Sequence, residues 1–179
     1  MTRAAKKVQT RTALVNAGAE LFAARGYEAV TVDEVASAAG VSRRTLFRYF
    51  PSKDALVFHW QDEDLSRFSA ALTATGMPAV RSALLAVGAA YAASAPERLA
   101  QYRIVLASPA LVAREVDLDR RWEAVIAAGL GGDRAARFHA GALIGLVRAV
   151  LREWLDGDCQ DDLLSMADEA LSTLTRMDP

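Results

Sequence analysis

The sequence has few of the residues that disulfides, metal centres and many enzyme sites require. Its 179 residues include one cysteine, Cys159, and two histidines, His59 and His139. A single cysteine excludes an intrachain disulfide and favours a reducing compartment. The histidines have no partner at metal-ligand spacing, and the chain lacks a phosphate-binding glycine loop and a nucleophile elbow. We therefore predict a protein that is not an enzyme and that needs no metal or other cofactor.

Long apolar runs are also missing. The uncharged segment 82–95 falls short of the roughly 20 apolar residues that a helix needs to cross a bilayer. The basic residues near the amino end precede no apolar stretch, so no secretory signal is predicted. We expect a cytoplasmic protein that has no membrane partner.

Charge is distributed unevenly along the chain. Residues 1–53 contain nine Lys/Arg and four Asp/Glu, a net charge of +5, and residues 54–179 carry a net charge of -6. A basic amino-terminal part fits a polyanionic partner, because neutralising phosphates supplies most non-specific affinity for nucleic acid. The alternative is a chance asymmetry between two solvated surfaces.

The spacing of apolar residues is helical throughout, and 53% of the chain is hydrophobic, much of it alanine and leucine. No segment alternates apolar and polar residues as a strand would, so we predict an all-α fold of about nine helices. The pattern predicts a flexible basic arm over residues 1–8 and a first helix over Gln9 to Arg25. A fourth helix, Ser52 to Leu72, is expected to tie two domains together.

The segment 31–50, TVDEVASAAGVSRRTLFRYF, has the pattern of a helix-turn-helix. Thr31 and Glu34 have the spacing of a capping box that begins a helix. Gly40 ends that helix, since glycine readily takes a left-handed conformation, and Ser42 can cap the next one. In such motifs the second helix lies in the major groove of DNA.

The predicted second helix carries its polar side chains opposite Leu46 and Phe50. An arginine fork can donate two hydrogen bonds to O6 and N7 of guanine. We predict that the base-reading residues are Arg43, Arg44 and Thr45, with Arg48 on a base or a phosphate. Helix amino ends favour phosphate, so Thr31 and Ser42 are expected at the DNA backbone. The alternative is a solvated basic helix, or arginines paired with Asp33 and Glu34.

The stretch ALVNAGAELFAARGYEAVTVDEVASAAGVSRRTLFRYFPSKDAL resembles the TetR family of transcriptional regulators in the order and spacing of its motifs. The resemblance implies a DNA-binding domain over 8–68, a regulatory and dimerisation domain over 69–179, and backbone contacts from Tyr49 and Lys53. Phe47 departs from it, because the family often has tyrosine there. We expect Phe47, like Leu46 and Phe50, to be a core residue. The tract SRRTLFRYFPSKD also resembles the mycofactocin-system regulators, some of which bind acyl-CoA.

The carboxy-terminal part contains a candidate dimer interface. Residues 140–147 are apolar around the whole helix circumference and so must be buried. Gly141 and Gly145 would let another helix approach closely. With the stripe of Leu164, Leu171 and Leu174 they predict a four-helix interface of a homodimer, and hence a pseudo-palindromic double-stranded operator. An internal core of a monomer is the alternative.

Large aromatic residues lie among the many alanines of the same part of the chain. They can line an apolar cavity, although an ordinary core has the same composition. The family resemblance implies a pocket for a small hydrophobic effector, with acyl-CoA as the leading suggestion, whose binding lowers the affinity for DNA. The candidate pocket residues are Trp60, Phe68, Tyr91, Tyr102, Trp122 and Phe138.

Two other functions fit the same pattern. A helical adaptor could bind an acidic protein surface through the basic part, and a regulator of this kind could activate rather than repress. Binding to DNA that weakens linearly in log affinity with log salt separates the regulator from the adaptor.

Overall fold

The computed structural model describes residues 2–176, and every regular element in that range is a helix. The prediction of an all-α fold is therefore confirmed. Within the same range, none of the helices combines the length and the hydropathy needed to span a membrane. The helices are α1 (Arg3–Arg25), α2 (Val32–Ala38), α3 (Arg43–Tyr49), α4 (Asp54–Val57), α5 (Gln61–Ala71), α6 (Met77–Ala92), α7 (Ala95–Leu106), α8 (Pro109–Gly129), α9 (Arg134–Asp156) and α10 (Leu163–Arg176).

The contacts divide the chain into two compact units. The first unit comprises Met1–Trp60 and Ala100–Ala113, and the second comprises Gln61–Leu99 and Arg114–Pro179. This division differs from the expected boundary after residue 68. All of α5 belongs to the second unit, and the segment that joins α7 to α8 belongs to the first.

The amino-terminal arm expected over residues 1–8 is helical instead. Helix α1 begins at Arg3, and the Thr2 hydroxyl caps it by accepting a hydrogen bond from the Ala5 amide at 3.3 Å. Alanine, lysine and arginine, which dominate residues 3–7, are strong helix formers, so a single cap is enough to extend the helix. The helix ends at Gly26, whose φ of 83° favours glycine.

The fourth helix is interrupted, which is why ten helices are described instead of about nine. Helix α4 ends at Val57 and α5 begins at Gln61. His59 Nδ1 lies 2.9 Å from the Leu56 carbonyl oxygen, and Arg11 donates to the His59 carbonyl at 2.9 Å. These side chains satisfy backbone carbonyls that would otherwise bond along an unbroken helix. The interruption coincides with the boundary between the two units.

The first unit is built on the packing of α2 and α4 against α1, and of α3 against α2. Leu14 of α1, Val35 of α2 and Leu46 of α3 are completely buried there. Each of the three helices thus contributes a buried side chain, and this packing holds α3 against α2 and α2 against α1.

The second unit has its own apolar core. Helix α6 packs against α5 and α10, and α10 packs against α9. Two residues predicted for other roles, Phe68 and Leu171, are core residues here. The buried members of this core are Phe68, Val80, Ala83, Ile126, Ala127, Ala140, Leu143, Ile144 and Leu171.

Candidate nucleic-acid interface

Helix α2 begins with the capping box that the sequence predicts. The Thr31 hydroxyl accepts from the Glu34 amide at 3.3 Å, and the Glu34 carboxylate accepts from the Thr31 amide at 2.8 Å. The Thr31 hydroxyl also donates to the Glu34 carboxylate at 2.8 Å. The hydrogen bonds that this carboxylate accepts from the Thr31 amide and hydroxyl, together with Arg25 at 2.7 Å, lower the pKa of Glu34 to about 2. Thr31 is thus a helix cap with both donors used, and we do not retain it as a phosphate contact.

The turn between α2 and α3 depends on Gly40, which has a φ of 68°. The Val41 amide donates to the Ala36 carbonyl at 2.9 Å across this turn. Ser42 then caps α3 by accepting from the Thr45 amide at 3.2 Å, and its hydroxyl lies 3.0 Å from the Thr45 hydroxyl. The predicted cap is therefore present, and it orients the side chain of a predicted base reader.

Helix α3 buries one side and exposes the other. Leu46 and Phe50 are buried, as predicted. Phe47, also predicted to be a core residue, is 40% exposed. Consecutive residues of a helix are rotated by about 100° about its axis. Phe47 directly follows Leu46, so its ring lies off the buried side of the helix.

The polar side chains of α3 lie on its accessible side, where a duplex could reach them. The arginines are exposed, and Thr45 and Tyr49 are half-buried. Arg48 in the last turn lies with its guanidinium carbon 5.4 Å from the centre of the Tyr49 ring. The exposed arginines are Arg43, Arg44 and Arg48.

Arg43 and Arg44 differ in their surroundings. Arg43 forms an ion pair with Asp33 at 2.7 Å, and its guanidinium carbon lies 5.4 Å from the centre of the Phe47 ring. The alternative of arginines paired with acids thus applies to Arg43, whereas Glu34 pairs with Arg25. Among the described residues, Arg44 has no ion-pair partner.

Lys53 has a structural role that the sequence did not indicate. Its ammonium group donates to the Tyr27 carbonyl at 2.8 Å and to the Val30 carbonyl at 2.9 Å, and it lies 4.0 Å from the centre of the Tyr27 ring. Burial is the main reason that the pKa of Tyr27 is raised to about 12. Lys53 therefore braces the turn between α1 and α2, with one ammonium hydrogen left for another partner.

Comparison with known proteins agrees with this geometry. Residues 14–59 match the family model of the bacterial regulatory proteins of the tetR family, and residues 74–179 match that of the MftR C-terminal domain. The chain belongs to the TetR family. The predicted family is confirmed, and the chain is a transcriptional regulator of the DNA-binding repressor type rather than an enzyme.

The relatives span most of the chain. It is 32% identical over 148 residues to the mycofactocin biosynthesis transcriptional regulator MftR of Mycobacterium tuberculosis, covering 76% of this chain and 75% of that protein. It is 32% identical over 190 residues to the regulator TcmR of Streptomyces glaucescens, covering 94% and 83%. The Thermus thermophilus repressor FadR, solved with lauroyl-CoA, shares the fold with a TM-score of 0.59 at 22% identity, covering 92% and 93%.

The six candidate pocket residues are not equivalent in the structure. Trp60 and Tyr102 belong to the first unit, and the other four belong to the second. Phe138 is 66% exposed on α9, with the Arg134 guanidinium 5.6 Å from its ring centre, so its assignment to an internal pocket is wrong. Phe68 is a core residue. Trp122 packs edge-on against Phe68 and donates to Gln61 at 2.9 Å.

Tyr91 adjoins a buried ion pair that sequence reasoning missed. Arg98 donates to both carboxylate oxygens of Asp64, at 2.8 and 2.9 Å, and its guanidinium carbon lies 4.2 Å from the Tyr91 ring centre. Burial raises the pKa of Tyr91 to about 12. The sequence contains one indication that Asp64 is buried. It lies four residues before Phe68 and is therefore on the same side of α5.

One face of α9 is left uncovered within the second unit. A Cβ atom added to Gly141 or Gly145 would meet nothing within 4 Å. Leu171 is in the unit's own core and Leu164 packs against Gly88, so we do not propose an intersubunit role for these two leucines. The Leu174 side chain lies outside the described residues.

Proposed function

We propose that this regulator is a homodimeric repressor whose α3 helices read a pseudo-palindromic operator and whose second unit binds a small hydrophobic effector. The observation that carries the proposal is the exposed arginine side of α3, held on a packed helix-turn-helix in a TetR-family chain. Effector binding would lower operator affinity by the difference in effector affinity between the two states of the dimer.

Base reading is assigned to Arg43, Arg44 and Thr45, which occupy the first turn of α3. Ser42, Arg48 and Tyr49 are proposed at the sugar-phosphate backbone. Arg44 is the strongest candidate for a guanine, because it is exposed and no acidic side chain in the described part of the chain pairs with it. A two-bond contact between arginine and guanine contributes about 1–3 kcal/mol of discrimination.

The uncovered face of α9 supports dimerisation. Its middle turns present Phe138, Gly141, Ala142 and Gly145, which are apolar or lack side chains, and all but Gly141 are exposed. Exposed apolar faces often mark sites of protein–protein interaction, and the glycines let a second helix come close. A dimer would also bury more protein surface on DNA, since one DNA-binding module buries only about 600–1,000 Å².

The effector class is proposed from the relatives. Residues 74–179 match the MftR C-terminal domain, and the related fold of FadR was solved with lauroyl-CoA. We therefore propose an acyl-CoA as the effector, with Tyr91 and Trp122 as the candidate pocket residues that remain half-buried in the second unit. The experiment is a titration of the protein–operator complex with lauroyl-CoA, with free coenzyme A as the control. Release by both compounds or by neither contradicts the proposal.

Operator recognition is tested by selecting random duplexes with the purified protein and measuring affinities for the recovered sequence. We expect a two-fold symmetric motif. Arg44→Ala should weaken operator binding by about fivefold to 150-fold for each half-site and leave non-specific binding nearly unchanged. Arg67→Ala, which removes an exposed arginine of α5, is the matched control. Equal losses in both variants, or none, would reject the assignment of Arg44.

Dimerisation is tested by placing a charge on the α9 face. Gly145→Arg should leave the helical content unchanged, because the glycine faces open space, but should give a monomer in light scattering. Ala70→Arg adds the same side chain at an exposed position on α5 and should remain dimeric. A wild-type protein that is monomeric at micromolar concentration would remove the dimer from the proposal.

A further inference from the structure

We infer that Asp33 and Phe47 are specificity-determining positioning residues, which hold the guanidinium of Arg43 for a base edge instead of a phosphate. The inference rests on the proposed DNA-binding function. It assigns a role to an acidic side chain paired with an arginine of α3, and to an aromatic ring that is exposed although Phe50, at the end of the same helix, is buried.

The three side chains form a contact between the two helices of the motif. Arg43 is the first residue of α3, and its Nη1 lies 2.7 Å from Asp33 Oδ2 on α2. Its guanidinium carbon also lies 5.4 Å from the centre of the Phe47 ring, one helical turn further along α3. Side-chain exposures of 60% for Arg43 and 59% for Asp33 leave the pair accessible to a duplex.

This arrangement reduces the freedom of a long side chain before DNA arrives. An arginine without contacts samples many rotamers, and ordering it on binding costs entropy. The ion pair with Asp33 and the contact with the Phe47 ring favour one arrangement of the Arg43 side chain over the others. The guanidinium of Arg43 is therefore partly positioned in the free protein.

The carboxylate also decides which DNA group Arg43 binds. Asp33 repels phosphates, so an arginine held beside it is a poor partner for the DNA backbone. The ion pair uses Nη1, and a guanidinium has further donors on Nη2 and Nε that match O6 and N7 of guanine. Phe47 has no hydroxyl group with which to bind a phosphate, and its ring lies beside the Arg43 guanidinium.

The experiment compares affinities for the selected operator and for a random duplex of equal length at one salt concentration. Asp33→Asn should strengthen binding to the random duplex, because a negative charge is lost from the basic surface. It should reduce the ratio of specific to non-specific affinity by about threefold to tenfold for each half-site. A new selection with this variant should lose base preference at one symmetric position only.

Three further comparisons separate positioning from a simple change of charge. Glu20→Gln removes the same charge from an exposed position on α1 and should leave the ratio unchanged. In an Arg43→Ala background, Asp33→Asn should shift both affinities equally, because no guanidinium remains to be positioned. Phe47→Leu, which keeps an apolar side chain but removes the ring, should lower the ratio as Asp33→Asn does.

The outcomes distinguish this inference from the function on which it rests. A wild-type protein that prefers its operator, with Asp33→Asn and Phe47→Leu variants of the same ratio, overturns the positioning role and leaves the repressor proposal intact. The positioning role is also overturned if Asp33→Asn lowers the ratio of specific to non-specific affinity as much in the Arg43→Ala background as in the wild type. A wild-type protein that prefers no duplex overturns both.

Discussion

Breaking the buried ion pair of the second unit should destabilise it by about 3–5 kcal/mol, the usual cost of leaving one buried charge without its partner. The side chains of Arg98 and Asp64 are only 4% and 8% exposed, and two hydrogen bonds of 2.8 and 2.9 Å join them. Asp64→Asn keeps the size of the side chain and removes its charge. The Ser94 hydroxyl at 3.4 Å and the Tyr91 ring would still lie beside the guanidinium.

The size of this effect makes it easy to measure. Domains are typically stable by about 5–15 kcal/mol, so the loss is a large fraction of the total. It corresponds to a decrease in melting temperature of about 6–20 °C for a chain of this length. Replacing both partners, by Asp64→Leu with Arg98→Met, should recover most of the loss, because well-packed apolar pairs are about as stable as buried ion pairs.

Urea denaturation monitored by tryptophan fluorescence and circular dichroism gives the free energies directly. The matched control is the exposed pair of Asp62 and Arg121, which are joined at 2.8 Å but have side chains 82% and 53% exposed. Asp62→Asn should cost at most about 1 kcal/mol. Similar losses in the Asp64 and Asp62 variants would refute the argument from burial, and so would a double replacement less stable than Asp64→Asn.

Three further predictions concern other parts of the chain. Gly129→Ala should lower stability by about 1 kcal/mol, since its Cβ would lie 3.1 Å from Cγ2 of the completely buried Val80 and 2.9 Å from Leu72 Cδ2, the end of a side chain that can turn away; an unchanged urea midpoint would contradict this. Glu34, with a pKa lowered to about 2 in the folded state, stabilises the first unit above its ordinary pKa of 4.5 and stops doing so as the pH falls towards 2. Thermal melting of Glu34→Gln over that range should show a smaller pH dependence than wild type, and equal slopes would count against it. Lys53→Met loses two charge-assisted hydrogen bonds to backbone carbonyls and should destabilise the first unit by about 1–3 kcal/mol in chemical denaturation. A variant as stable as wild type would contradict this structural role.

Features set by local chemistry were predictable from the sequence. The capping box of Thr31 and Glu34, the left-handed Gly40 and the cap at Ser42 each depend on residues within a few positions of one another. Such motifs form the same hydrogen bonds in most surroundings, so the helix-turn-helix could be located by its residues alone.

Features set by distant contacts were not predictable in the same way. The interruption after α4 needs Arg11, 48 residues away from the His59 carbonyl that it binds. The position of Lys53 likewise depends on carbonyls in the turn after α1. Arg98 would be expected at the surface, because charged residues are seldom buried without a partner. Its partner, Asp64, lies on another helix. The α9 face shows the converse. The sequence predicts that residues 140–147 are buried all round, yet Ala142 and Gly145 are exposed in the single chain, and burial by a second copy remains a proposal.

If α3 reads base edges at two symmetric half-sites, an equilibrium competition experiment shows it most directly. It uses purified full-length protein, the duplex recovered by selection and a scrambled duplex of the same composition. We expect two chains bound per recovered duplex and an affinity at least about 1,000-fold higher than for the scrambled one at physiological salt. Equal affinities for the two duplexes would contradict it.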